Sequence, residues 1–174
     1  VISDMVYNCS DIIESVSKLM IKAINKGNKI MWCGNGGSAA QAQHLSAELV
    51  GGLNYKKNSP VPSISLTTDS SFLTAWTNDT DFITVFSRQV LALGLKGDIL
   101  IGLTTSGNST NIINAIDIAN EMGINTIVFT GKNEGKIKGK SKFTISIPSN
   151  DTQRIQEGHI LCGHIICDLV ENNK

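Results

Sequence analysis

Five short apolar runs, each answered by a stretch of helical period, constrain this chain more than any other feature. The runs are "KIMWC" (29–33), "SISL" (63–66), "DILIGL" (98–103), "TIVFT" (126–130) and "FTISI" (143–147). Each reads as a strand buried on both faces. Ahead of them, Ile12, Ile13, Val16, Leu19, Met20, Ala23 and Ile24 form one apolar helical stripe that stops at Gly27, a good helix terminator. Helical period returns over residues 38–50, over 70–93 with a break near Asn78, from Ser109 to Met122 and from Thr152 to Glu171. Strict alternation with short connections predicts an α/β fold: a doubly wound, five-stranded parallel sheet flanked by helices, in a single domain over 1–174. The segment "GKNEGKIKGKSK" (131–142) reads as a basic, solvated loop.

Charge narrows the partners. Fifteen Lys and Arg balance fifteen Asp and Glu, so no basic field exists to hold nucleic acid or an anionic membrane. An anionic ligand must be held by local geometry. Only 17% of the residues are charged against 41% apolar, which favours an oligomer over a monomer. Cys9, Cys33, Cys162 and Cys167 form no metal-knuckle spacing and read as buried reduced thiols, which points to a reducing cytoplasm. No apolar run reaches the roughly 18 residues that span a membrane, and Asp4, Asn8 and Asp11 interrupt any signal-peptide core. The expectation is a soluble cytoplasmic protein.

In such sheets, ligands bind beyond the carboxyl ends of the strands. Two loops there stand out. Gly34-Asn35-Gly36-Gly37-Ser38 follows the first run and opens a helix, whose free N–H groups suit an anion. "TTSGNS", from Thr104 to Ser109, repeats the form and adds the hydroxyls of Thr104, Thr105, Ser106 and Ser109 around Gly107. Neither is a Walker loop or a spaced dinucleotide fingerprint, so nucleotides are disfavoured. Each alone reads equally well as a tight turn with a serine cap. Two of one type favour a sugar phosphate.

His44 and Glu48 lie four residues apart and so share a helix face, at roughly 6 Å between Cβ atoms. By itself this is an ordinary surface pair. In the last helix Gln156 and His164 are separated by about 12 Å along the axis, and could only just meet one ion. Spacing alone makes His164, set among Ile160, Leu161, Ile165 and Ile166, a core histidine.

Taken together, "CGNGGSAAQAQHLSAELVGG" (33–52), "TND" (77–79), "GDILIGLTTSGNSTNIINAI", "TIVFTGK" and "RIQEGHILCGHIICDLVE" make the chain resemble the phosphoheptose isomerases, the bacterial sedoheptulose 7-phosphate isomerases of the sugar isomerase (SIS) fold. The resemblance covers nearly the whole chain. It implies a flavodoxin-like three-layer sandwich, an N-terminal helix used in oligomerisation, and a homotetramer with active sites at subunit interfaces. It implies conversion of D-sedoheptulose 7-phosphate to D-glycero-D-manno-heptose 7-phosphate, the first step toward heptose for lipopolysaccharide or capsule. Thr104, Thr105, Ser106 and Ser109 match the phosphate loop, and Asn35, Gly36, Gly37, Ser38, Asn78, Asp79 and Gln156 match substrate contacts. His44, Glu48, Gln156 and His164 match the ligands of one zinc per subunit, with Glu48 and His164 also the base and acid. Where the family can carry an acidic residue three positions before that glutamine, this chain has Gln153, so no carboxylate contact is carried over there. His159 receives no role.

Aldose–ketose isomerisation through an enediolate needs a base beside the carbonyl and a donor to the developing oxyanion, which a carboxylate and an imidazole supply. The competing readings are a non-enzymatic SIS tetramer that binds the replication initiator, and another phosphosugar-binding SIS protein. The initiator-binding relative shares the "LTTD...LTAWTND" region but lacks the equivalents of Glu48 and His164. The presence of both here favours the enzyme.

Overall fold

The computed structural model describes residues 1–53 and 59–174. In chain order the elements are α1 (Ile2–Ile24), β1 (Ile30–Gly34), α2 (Gly37–Gly51), β2 (Ser63–Ser65), α3 (Ser70–Asp79), α4 (Val85–Leu93), β3 (Ile99–Leu103), α5 (Thr110–Glu121), β4 (Asn125–Gly131), β5 (Phe143–Ile147) and α6 (Thr152–Asn173). The five strands form one sheet in the order β2-β1-β3-β4-β5, and every pairing is parallel. The expected doubly wound sheet is therefore present.

Alternation along β1 shows why both faces are covered. Ile30 and Trp32 join the apolar cluster built by α1, α2 and α6, while Met31 and Cys33 join the one built by α4 and α5. Side chains two apart share a face. A strand between two helical layers is therefore apolar along most of its length, as Ile30–Cys33 and Ile99–Leu103 are, while β4 also buries Thr126 and Thr130.

The edge strands depart from that expectation. β2 leaves Ile64 39% exposed, and β5 buries only Ile145 and Ile147 fully, because at the edges helix cover is incomplete on one face. Helix α1 begins at Ile2, ten residues before the apolar stripe expected of it, with Met5 and Cys9 buried among polar neighbours. The break expected near Asn78 falls just later, between Asp79 and Val85. The basic loop is only partly solvated: a 3-10 turn at Gly135–Ile137 buries Ile137, and the Ile137 amide donates to the Gly107 carbonyl at 3.0 Å.

All four cysteines are buried and free. Among the described residues no helix is long and apolar enough to cross a membrane.

Candidate active site

The strand order reverses between β1 and β3, and ligands of open α/β sheets lie at that switch point. The two loops singled out in the sequence leave these two strands. They are stitched together by a reciprocal amide pair: Asn35 Nδ2 donates to Asn111 Oδ1 and Asn111 Nδ2 to Asn35 Oδ1, each at 2.9 Å. Asn111 is buried and drew no notice in the sequence, since only the fold brings α5 beside the first loop.

Neither serine closes its helix as a cap. Gly36 takes the N-cap position of α2, leaving Ser38 buried inside the first turn. Ser109 is the N-cap of α5, but its hydroxyl lies 3.1 Å from the Thr104 hydroxyl and makes no capping bond. Neither N-cap residue thus supplies a side-chain cap, although the Ile112 amide in the first turn of α5 donates to Asn111 Oδ1 at 3.0 Å; the remaining first-turn amides suit an anion.

The hydroxyl-rich loop is held from outside. Gly107, at φ 66°, presses on the Glu134 carbonyl, and any Cβ there would overlap it. Thr105 accepts from the Gly131 amide at 3.2 Å, and Ser106 Oγ accepts from the Asn108 amide at 3.2 Å. Thr105, Ser106, Asn108 and Lys132 line a cavity of about 240 Å³. A larger cavity of about 620 Å³, lined by Asp4, Tyr7, Asn8 and Lys132 among others, touches none of the predicted site residues.

Helices α2 and α6 lie side by side and run parallel, because each follows a strand of one parallel sheet. Gln156 abuts Gly37, and eight residues on His164 meets His44. The two Nε2 atoms are 2.8 Å apart, with the rings edge to face. His44 Nε2 lies 3.6 Å from Glu48 Oε1, and one ligand atom from each of His44, Glu48 and His164 falls within 4.8 Å of the others. This convergence occurs within one chain. Gly163 is what permits it: a Cβ there would strike Leu45, the residue after His44, at 2.5 Å.

His164 is half-buried on the α2 side, so it is not the core histidine its apolar neighbours suggest. That place belongs to His159, which is fully buried against Phe129 and pushed down to about 4 by burial. Five residues of helix turn the two rings well apart. The amide of Gln156 sits so close to Gly37 that a Cβ would collide with it, and the Gln156 carbonyl accepts from Gln41 Nε2 at 2.6 Å. No hydrogen bond joins it to the His44–Glu48–His164 group among the described residues. Asn78 and Asp79 are exposed at the end of α3, where Asn78 Nδ2 donates to Asp79 Oδ1 at 2.8 Å. Among the described residues no hydrogen bond joins them to the two loops.

Two imidazoles and a carboxylate form a donor set of the kind that holds zinc while leaving a coordination position open. The half-exposed position of the group suits an ion that must meet a substrate.

A SIS domain family model matches residues 1–131, and the fold and the paired loops agree with it. The chain belongs to the SIS family and, within it, to the phosphoheptose isomerases. It is 52% identical over 159 residues to the phosphoheptose isomerase of Aquifex aeolicus, covering 91% of this chain and 83% of that protein. The solved phosphoheptose isomerase of Neisseria gonorrhoeae superposes with a TM-score of 0.89 at 41% identity, covering 97% of this chain and 89% of that one. That of Francisella tularensis gives a TM-score of 0.91 at 34% identity, covering 94% and 87%. An isomerase follows from this membership.

Proposed function

We propose that the chain interconverts D-sedoheptulose 7-phosphate and D-glycero-D-manno-heptose 7-phosphate through an enediolate, the first step toward heptose for lipopolysaccharide or capsule. The observation that carries this reading is the meeting of His44, Glu48 and His164 between α2, the helix that leaves the glycine loop, and α6.

Thr104, Thr105, Ser106 and Ser109 hold the phosphate through hydroxyls and the amides of their loop. Asn35, Gly36, Gly37, Ser38 and Gln156 contact the sugar, and the family resemblance adds Asn78 and Asp79 as further sugar contacts. Glu48 takes the C1 proton and returns it to C2. His164 donates to and accepts from the O1 and O2 oxygens as the carbonyl moves, while His44 braces His164 across 2.8 Å. Groups so placed contribute about 10²–10⁴-fold each. His44, Glu48 and His164 would hold zinc, with Gln156 the further ligand implied by the family resemblance; the ion would polarise the substrate oxygens as a Lewis acid.

The SIS domain spans 1–174 and works in the cytoplasm as a homotetramer, with sites completed at subunit interfaces. Ile2, Val6 and Tyr7, exposed at 65%, 62% and 89% on α1, support that helix as an interface.

The test follows sedoheptulose 7-phosphate by NMR with and without a chelator. Conversion that stops with chelator supports the full reading. Conversion that persists removes the zinc, and no conversion under either condition replaces the isomerase with a phosphosugar-binding protein.

A further inference from the structure

His159 is a buried titratable group that the proposed chemistry leaves unused. Its Nε2 lies 3.2 Å from the Thr130 carbonyl, which can only accept, so Nε2 carries the proton. Nδ1 and the Thr130 hydroxyl are both buried with no hydrogen-bond partner among the described residues. A residue kept only for packing would be better served by an apolar side chain, since an orphaned ring nitrogen is costly to bury.

Its neighbours show what the bond fixes. Ile155, one turn earlier on α6, packs against Gly131 so closely that a Cβ there would lie 2.5 Å from its Cδ1. Gly131 follows Thr130 and donates its amide to Thr105 in the hydroxyl-rich loop. Gly158 lies against Ile147 of β5, where a Cβ would meet Cγ2 at 2.8 Å. At this level α6 is pressed onto the sheet, and among the described residues the His159–Thr130 bond is the one side-chain hydrogen bond between α6 and β4.

We propose that His159 is a positioning residue for the isomerisation, fixing α6 on the carboxyl end of β4 so that His164 is held in register with the loop that takes the phosphate. This rests on the isomerase function above. A misplacement of about 1 Å costs on the order of 10²-fold in such a site, and the effect falls on turnover because His159 touches neither phosphate nor sugar.

The test compares steady-state kinetics of wild type, His159→Leu and His159→Gln, the last carrying an amide N–H near the position of Nε2. His159→Leu is expected to lose at least tenfold in kcat with KM changed less than threefold, at unchanged circular dichroism, and His159→Gln to recover most of the loss. Equal kcat in all three proteins overturns the proposal, as does a loss in His159→Leu that His159→Gln fails to restore. Should His159→Leu not fold, His159→Gln is compared with His159→Asn, whose amide stops short of the carbonyl: retained kcat in the first and lost kcat in the second supports the proposal, and equal values overturn it. An inactive wild type would instead remove the isomerase reading itself.

Discussion

Gly163 of α6 and Leu45 of α2 approach so closely that a single methyl group on the glycine would fall 2.5 Å from the leucine Cδ1. Each is followed or preceded by a site histidine, His164 and His44. The distance between two helix backbones thus sets the distance between two imidazoles. Leu45 is fully buried and has little room to yield.

Gly163→Ala should therefore separate the helices. Alanine adds about 1 kcal/mol of helix propensity, but overpacking a filled core costs about 1–3 kcal/mol. A small fall in melting temperature is expected, together with a loss of at least tenfold in turnover as His44 and His164 part. Kinetics and thermal melts on the same preparation check it; unchanged turnover would remove the proposed link between backbone approach and site.

Gly37→Ala makes the opposite kind of change. The atom a Cβ would meet is the end of the half-buried Gln156 side chain, which can swing away. Stability should hold within about 0.5 kcal/mol, while KM rises because Gln156 no longer faces the sugar. A denaturant melt and a substrate titration separate the two effects.

In the hydroxyl-rich loop, Ser106→Ala removes one phosphate donor. A hydrogen bond to a charged group is worth about 1.5–3 kcal/mol, so KM for the phosphorylated sugar should rise roughly ten- to a hundredfold. Inhibition by inorganic phosphate should weaken alongside it, and an unchanged phosphate inhibition constant would place the anion elsewhere.

His159 carries a pH signature of its own. Burial lowers its pKa to about 4, whereas the unfolded chain has the ordinary value near 6.5. The unfolded state therefore binds more protons between these values, and stability rises with pH across that window. The contribution is complete above about 6.5 and lost as pH falls toward 4. His159→Gln should flatten this part of the stability curve, as measured by urea unfolding at successive pH values.

The central strands were legible in the sequence because a strand covered by helices on both faces is largely apolar, as Ile99–Leu103 is. The edges were not, since Ile64 looks no different from Ile101 until the covering helices are placed. The first turns of α1 were hidden because Asp4, Asn8 and Ser10 leave only Met5 and Cys9 to face the core. Loop chemistry was visible in Thr104 to Ser109, where hydroxyls and a glycine lie together in the chain. The meeting of His44 with His164 was implied in the sequence by the family resemblance alone and not by spacing, because it depends on the parallel alignment of α2 and α6 and on the backbone approach at Gly163. A glycine inside a strongly helical stretch was the signal available, since helices bear that cost only where packing needs it.

The most direct test of the account replaces the carboxylate at the centre of the site. Sedoheptulose 7-phosphate is followed by NMR with wild type, Glu48→Gln and His164→Gln, with circular dichroism on each. The predicted result is conversion to the aldose by wild type and loss of turnover by at least 10²-fold in both variants at unchanged fold. Substantial conversion by a folded Glu48→Gln protein would contradict the assignment of Glu48 as the base.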